Sequence, residues 1–217
     1  VGLYDAATGE VLETYERPDG RPAYALAFSP NSKMLAAGDC DDDEVVVVWN
    51  VETGAHLWSP DGRADSDDKL QFSPDSKRLY SHGGGNVVHV SCCEERRNLF
   101  DIECPSGVHG FMLSGNGNYL ATFNRSRIDI WDARTGSLHR TIRNVLGANS
   151  INGLAFSADA RRIVVSCEGS ACFVDTTTGS VMGSLRVALL RDALDFLGCH
   201  FTASPLRPSA SSASCRP

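Results

Sequence analysis

Residues 128–137 read IDIWDARTGS. Apolar and polar side chains alternate from Ile128 to Asp132, the period of a strand that points successive residues to opposite faces. Thr135-Gly136 then breaks the run with turn chemistry. The phrase recurs in altered form as VGLYDAATGE (1–10), VVVWNVETGA (46–55) and CFVDTTTGSV (172–181). In each copy a Gly (Gly9, Gly54, Gly136 or Gly179) follows a Thr and stands five residues beyond Tyr4, Trp49, Trp131 or Val174.

A second phrase keeps step with the first. AFSPNSKMLAAG (27–38), QFSPDSKRLYSHG (71–83), MLSGNGNYLATF (112–123) and AFSADARRIVVS (155–166) align without gaps. Their anchors Phe28, Phe72, Leu113 and Phe156 are separated by 44, 41 and 43 residues. Val90, Trp131 and Val174 stand 18 residues after the last three anchors, and Trp49 stands 21 after Phe28 because an acidic stretch intervenes. Each unit reads as four short strands. Strand a carries the anchor, the Ser-Pro-Asn/Asp-Ser turn leads to strand b, the opening phrase is strand c, and the Thr-Gly turn leads to strand d. Ile128 and Ile130 fall on one face of strand c, and Asp129 falls on the other. Four strands in some forty residues cannot cover both of their faces alone. Stacking copies around an axis does so, which predicts an all-β chain, a β-propeller of four-stranded antiparallel blades.

The period, the F-S-P-[ND]-S turn and the IWDARTG phrase resemble the WD-repeat β-propeller family over about residues 1–186. Trp131-Asp132 matches the signature dipeptide in full; Trp49-Asn50, Tyr4-Asp5 and Val174-Asp175 match in part. The Gly-His pair that opens such a repeat is absent, so the family's His–Asp tetrad is not carried over. Residues 86–95 keep the strand and lose the Thr-Gly turn. The repeat residues are Phe28, Trp49, Gly54, Phe72, Trp131, Asp132, Gly136, Phe156, Asp175 and Gly179.

The blades are expected at 1–16 (partial), 23–60, 67–103, 107–143 and 150–186. Residues 187–204 read either as a further partial blade, with Phe196 continuing the register, or as a short helix with Val187, Leu190, Leu194 and Leu197 on one stripe. Residues 205–217 are Ser/Pro/Ala-rich and are expected to be disordered. Related rings close with about seven blades. A piece of a larger ring is therefore expected, as is the start at Val1 rather than Met. Pairing of 188–204 with 1–16 would instead close a five-bladed ring.

Composition narrows the function classes. The net charge of −7 argues against a nucleic-acid partner, which needs a basic face, and no apolar run is long enough to span a bilayer as a helix. The eight cysteines form no C-x-x-C pairs, so reduced thiols in a cytoplasmic or nuclear setting are expected, with no metal or other cofactor. Asp39, Asp41 and Asp43 alternate but lack the EF-hand's Gly and final Glu. HGGGN (82–86) is followed by no Lys-Ser/Thr and suits a b–c turn rather than a phosphate cradle. The histidines are scattered, and no nucleophile elbow occurs, so no catalytic residue is nominated. Asn124-Arg125-Ser126 is a glycosylation sequon, without meaning in the cytoplasm.

The acidic loops DCDDDE (39–44) and DGRADSDD (61–68) hold nine of the 27 acidic residues. They occupy b–c and d–a positions, which share one face of a propeller. Asp41, Asp42, Asp43, Glu44, Asp65, Asp67 and Asp68 are the candidate partner-binding residues, for a Lys/Arg-rich protein segment. The resemblance implies a non-enzymatic scaffold for protein–protein interaction. The alternative is the propeller domain of a larger enzyme or regulatory protein, with catalysis outside this chain or at a central channel.

Overall fold

The computed structural model describes residues 1–18, 20, 22–38, 46–60, 70–82, 85–143, 145, 151–167 and 170–186. The expected residues 187–204 and 205–217 lie outside the described residues. Among the described residues no helix is long and apolar enough to cross a membrane.

Among the described residues eighteen strands form five antiparallel sheets in chain order. The first sheet is two-stranded, β1 (Gly2–Tyr4) and β2 (Val11–Thr14). The second is β3 (Ala25–Phe28), β4 (Met34–Gly38), β5 (Val47–Asn50) and β6 (His56–Trp58). The third is β7 (Leu70–Phe72), β8 (Arg78–His82), β9 (Val87–Cys92) and β10 (Arg97–Glu103). The fourth is β11 (Gly110–Leu113), β12 (Tyr119–Phe123), β13 (Arg127–Asp132) and β14 (Leu138–Arg143). The fifth is β15 (Ile151–Phe156), β16 (Arg162–Cys167), β17 (Ser170–Asp175) and β18 (Val181–Arg186). Each sheet pairs its strands in sequence order, which is the meander of a propeller blade.

Two local devices set this pattern, and both are written in short side chains. At the a–b turn Ser73 Oγ accepts the Arg78 N–H at 2.9 Å and donates to Asp75 Oδ1, which also accepts the Lys77 N–H at 3.1 Å. Ser29 with Asn31, Ser114 with Asn116 and Ser157 with Asp159 repeat the arrangement. Such side chains satisfy turn N–H groups that no ladder can reach. At the c–d turn Asp132 Oδ1 accepts the N–H groups of Arg134 and Thr135 at 2.9 and 2.8 Å. Asp5, Asn50 and Asp175 do the same for their own turns.

The third sheet, whose sequence lacks Thr-Gly, nevertheless makes this turn. The Arg96 N–H donates to the Cys92 carbonyl at 2.9 Å, as Gly136 does to Asp132. Arg96 takes the left-handed conformation of the missing glycine, with φ of 55°. The Cys92 sulfur replaces the carboxylate, accepting the Glu95 N–H at 3.4 Å. Every c–d strand pair also carries a register shift near the turn, for example between Ile130 and Trp131.

The core is a series of layers between consecutive sheets. Trp49, Leu35, Val47 and Tyr15 fill the first interface, and Val48, Trp58, Phe72 and Leu79 the second. Tyr80, Ile102, Phe111, Leu120 and Trp131 fill the third, and Ile128, Ile130, Leu154, Ile163 and Val174 the fourth. Asp129, on the opposite face of β13 from Ile128 and Ile130, is also buried, at 4% exposure. Both faces of an inner sheet are covered, so strict alternation does not bring its polar residues to solvent.

The end of the stack differs. The anchor Phe28 is 51% exposed and its strand neighbour Leu26 55%, whereas Phe72 and Leu113 are buried. Among the described residues the two-stranded first sheet covers Leu35, Ala37, Val47 and Trp49 and leaves β3 bare on that side. Tyr4, the counterpart of Trp49 within that first sheet, is 60% exposed.

Candidate interaction surfaces

Antiparallel meanders put the a–b and c–d turns on one edge of the stack and the b–c and d–a connections on the other. In the second sheet β4 ends at Gly38 and β6 at Trp58, both on the second edge. The candidate partner-binding residues Asp41, Asp42, Asp43, Glu44, Asp65, Asp67 and Asp68 lie in the two connections that leave from there, outside the described residues. The repeat residues Trp49, Phe72 and Trp131 are buried, Phe156 is half-buried, and Gly54, Asp132, Gly136, Asp175 and Gly179 form c–d turns.

The repeat glycines also fit the sheets to one another. A Cβ on Gly136 would sit 3.0 Å from the Phe100 ring on β10 of the preceding sheet. One on Gly179 would sit 3.1 Å from Arg140 Cδ on β14. Arg96, in the equivalent place, sends Nη1 to the Leu57 carbonyl on β6 at 3.4 Å, so its side chain bridges the same gap. Tyr15 and Tyr80 donate their hydroxyls across interfaces to the Val51 and Ala133 carbonyls, at 2.9 and 2.7 Å. Neither tyrosine carries a repeat signal, since each bridges residues far apart in the chain.

Two buried polar chains fill the fourth sheet. Trp131 Nε1 donates to Thr122 Oγ1 at 2.9 Å, and the Cys104 thiol lies 3.8 Å from the same oxygen. Arg127 Nε stands 2.6 Å from Asp129 Oδ2, an ion pair rather than an aligned hydrogen bond, while Thr141 Oγ1 donates to Asp129 Oδ1. Burial raises the Cys104 thiol to about 11, with the Thr122 contact opposing. It raises Cys93 to about 12 and Cys172 to about 11, so these three are protonated and inert at neutral pH.

Strand register does bring a Ser, a His and an Asp into one row. Ser81 of β8 lies opposite His89 of β9, which lies opposite Asp101 of β10, and His89 Nδ1 is 2.9 Å from Asp101 Oδ1. Ser81 is only 1% exposed, and no hydrogen bond links it to His89 among the described residues. A nucleophile must reach its substrate, so the His89–Asp101 pair is a cross-strand clasp, completed by Asn98 Nδ2 on Asp101 at 2.9 Å. Burial opposes ionisation of Asp101, but the bonds from Asn98 and His89 win and hold its pKa below the usual value. Among the described residues no group of three His, Cys, Asp or Glu could hold a metal ion. The sequon amide of Asn124 is engaged, donating to the Ser106 carbonyl at 2.8 Å while its oxygen accepts the Ser126 and Arg127 N–H groups.

A cleft of about 300 Å³ opens on the a–b and c–d edge between the third and fourth sheets. Lys77 and Arg78 line it from the third sheet and Arg134 from the fourth.

Comparison with known proteins places the repeat. The model of the family described as WD domain, G-beta repeat matches residues 9–50. The chain is 27% identical over 135 residues to Protein groucho of Drosophila melanogaster, covering 61% of this chain and 18% of that protein. It is 32% identical over 117 residues to WD repeat-containing protein 55 of Pongo abelii, covering 52% and 30%. It is 29% identical over 140 residues to Transducin beta-like protein 3 of Bos taurus, covering 62% and 17%. The chain thus spans less than a third of each of these relatives. Among solved structures, Kuenenia stuttgartiensis Hydrazine Synthase superposes with a TM-score of 0.65 at 17% identity, over 82% of this chain and 53% of that one, a likeness of fold alone.

Proposed function

Since this chain is a divergent WD-repeat β-propeller, we propose that it is a non-enzymatic scaffold whose acidic edge holds a Lys/Arg-rich segment of another protein. WD-repeat proteins typically mediate protein–protein interaction as scaffolds, and that general role is the premise. The observation that carries the reading is a stack of sheets locked to one another by buried side chains and by hydroxyl-to-carbonyl bonds. Loops held by such a stack offer a surface that loses little freedom on binding. The finer part rests on sequence. Nine acidic residues fall in two connections that leave one edge of one sheet. Opposite charge would steer a basic segment to that edge and weaken as salt rises.

The test neutralises Asp41, Asp42, Asp43, Asp65, Asp67 and Asp68 to Asn and Glu44 to Gln, then titrates a Lys/Arg-rich peptide into both forms of the chain. The expected result is at least about a tenfold loss of affinity in the variant at low ionic strength. Equal affinity in the two forms refutes the acidic-edge reading.

A further inference from the structure

We propose that the cleft between the third and fourth sheets binds a phosphate-type oxyanion. It lies on the a–b and c–d edge, opposite the acidic connections. Lys77, Arg78 and Arg134 face it against one carboxylate, Asp75. Oδ1 of that carboxylate is already occupied, accepting the Ser73 hydroxyl at 2.6 Å and the Lys77 N–H at 3.1 Å. Arg78 is held in place by Nη1, which donates to the Ala133 carbonyl at 3.3 Å beside the Tyr80 hydroxyl. The guanidinium also interacts with the Tyr80 hydroxyl and with Asp75, which fixes the plane of the fork it presents to a ligand. Lys77 acts on Asp75 and Arg134 on Asp132 only through space: among the described residues no side-chain hydrogen bond ties down the Lys77 ammonium or the Arg134 guanidinium.

The chain supplies its own control, because every cleft between complete sheets is built from the same two turns. Between the second and third sheets the three positions hold Lys33, Met34 and Glu94; between the fourth and fifth they hold Asn118, Tyr119 and Thr177. At these three positions the other clefts carry one cation or none. Three cations at a single cleft are therefore not required by the turn geometry, and like charges brought together raise the energy of the unliganded protein. An anion that relieves this repulsion gains more here than at the other two. Three cations against one carboxylate match a dianion better than a carboxylate ligand, and amides Asn116 and Asn118 at the rim add neutral donors. Gly117 keeps the rim narrow, since a Cβ there would stand 3.0 Å from Pro74 Cδ.

The test uses the full chain and sodium phosphate at about pH 8, where the dianion prevails, with sodium chloride at matched ionic strength as the reference. We expect saturable changes at the Lys77, Gly117 and Arg134 amides in a two-dimensional NMR titration. Lys77→Asn with Arg134→Thr installs the residues that the next cleft already carries, so the fold is retained. That variant should bind phosphate at least about tenfold more weakly. A phosphoserine peptide distinguishes the source. Affinity above that of inorganic phosphate, lost on dephosphorylation, assigns a protein-borne phosphate; no gain assigns a free phosphate ester. Absence of saturable change up to about 10 mM phosphate, a weaker affinity than any worth selecting, overturns the proposal. So does equal binding by the folded variant.

Discussion

Gly9 and Gly136 share one backbone conformation, with φ of 73° and 72°, and differ in what surrounds them. A Cβ at Gly9 would meet nothing within 4 Å, while one at Gly136 would press on Phe100. Gly9→Ala should cost only the left-handed backbone term, about 1 kcal/mol. Gly136→Ala should cost about 2–3 kcal/mol, because the Phe100 ring must also yield. Denaturant unfolding of the two variants measures the difference, and equal losses would show that Phe100 moves freely. A second test concerns Thr122. Thr122→Val keeps the volume but strips the acceptor from the buried Trp131 N–H, for an expected loss of about 1–3 kcal/mol.

At the scale of the turn, carboxylates act as structural acceptors. The pKa of Asp175 is lowered first by the Thr178 N–H, and that of Asp75 first by the Ser73 hydroxyl. For Asp132 burial works in the other direction, and the Thr135 N–H and hydroxyl with the Arg134 N–H outweigh it. A carboxylate whose folded pKa lies below its unfolded value adds stability above that unfolded value and loses it as pH falls through the folded one. Stability should therefore be flat at neutral pH and fall below about pH 4. Replacing Asp75, Asp132 and Asp175 by Asn should flatten that acid limb, as read from unfolding midpoints between neutral and acid pH. An unchanged slope would assign the acid loss to other groups. The third sheet shows how far such a turn can depart from its usual residues. Arg96 holds the glycine's conformation, and its guanidinium contacts Leu57 where a neighbouring sheet's strand closes on glycine elsewhere.

For the whole molecule, stability is distributed between neighbours, as in other stacked repeats. Leu35 is 2% exposed beneath the first sheet, while Leu26 on the adjacent strand is 55% exposed. Leu35→Ala should cost about 2–5 kcal/mol, and Leu26→Ser less than about 0.5 kcal/mol, in the same denaturation experiment. A large loss at Leu26 would mean that something covers β3 in solution.

Much of this organisation could be read in advance. Strand alternation and the Ser-x-Asn/Asp and Asp-x-x-Thr-Gly turns act over a few residues, so the repeat itself displays the four-stranded units. Phe28 and Phe72 hold the same place in the repeat, yet one is exposed and the other buried, because exposure depends on how many strands the neighbouring sheet contributes. Asp129 was expected on the face opposite the isoleucines, which is correct; only the packing of a second sheet decides that this face is buried. The His89–Asp101 clasp, the Tyr80–Ala133 bridge and the Lys77–Arg78–Arg134 cleft join residues on different strands or sheets. Local physics, that is backbone period and turn hydrogen bonding, was decided by the amino-acid order alone. Which side chains meet across an interface depends on the stacking of separately formed sheets, a non-local choice that only the tertiary structure makes.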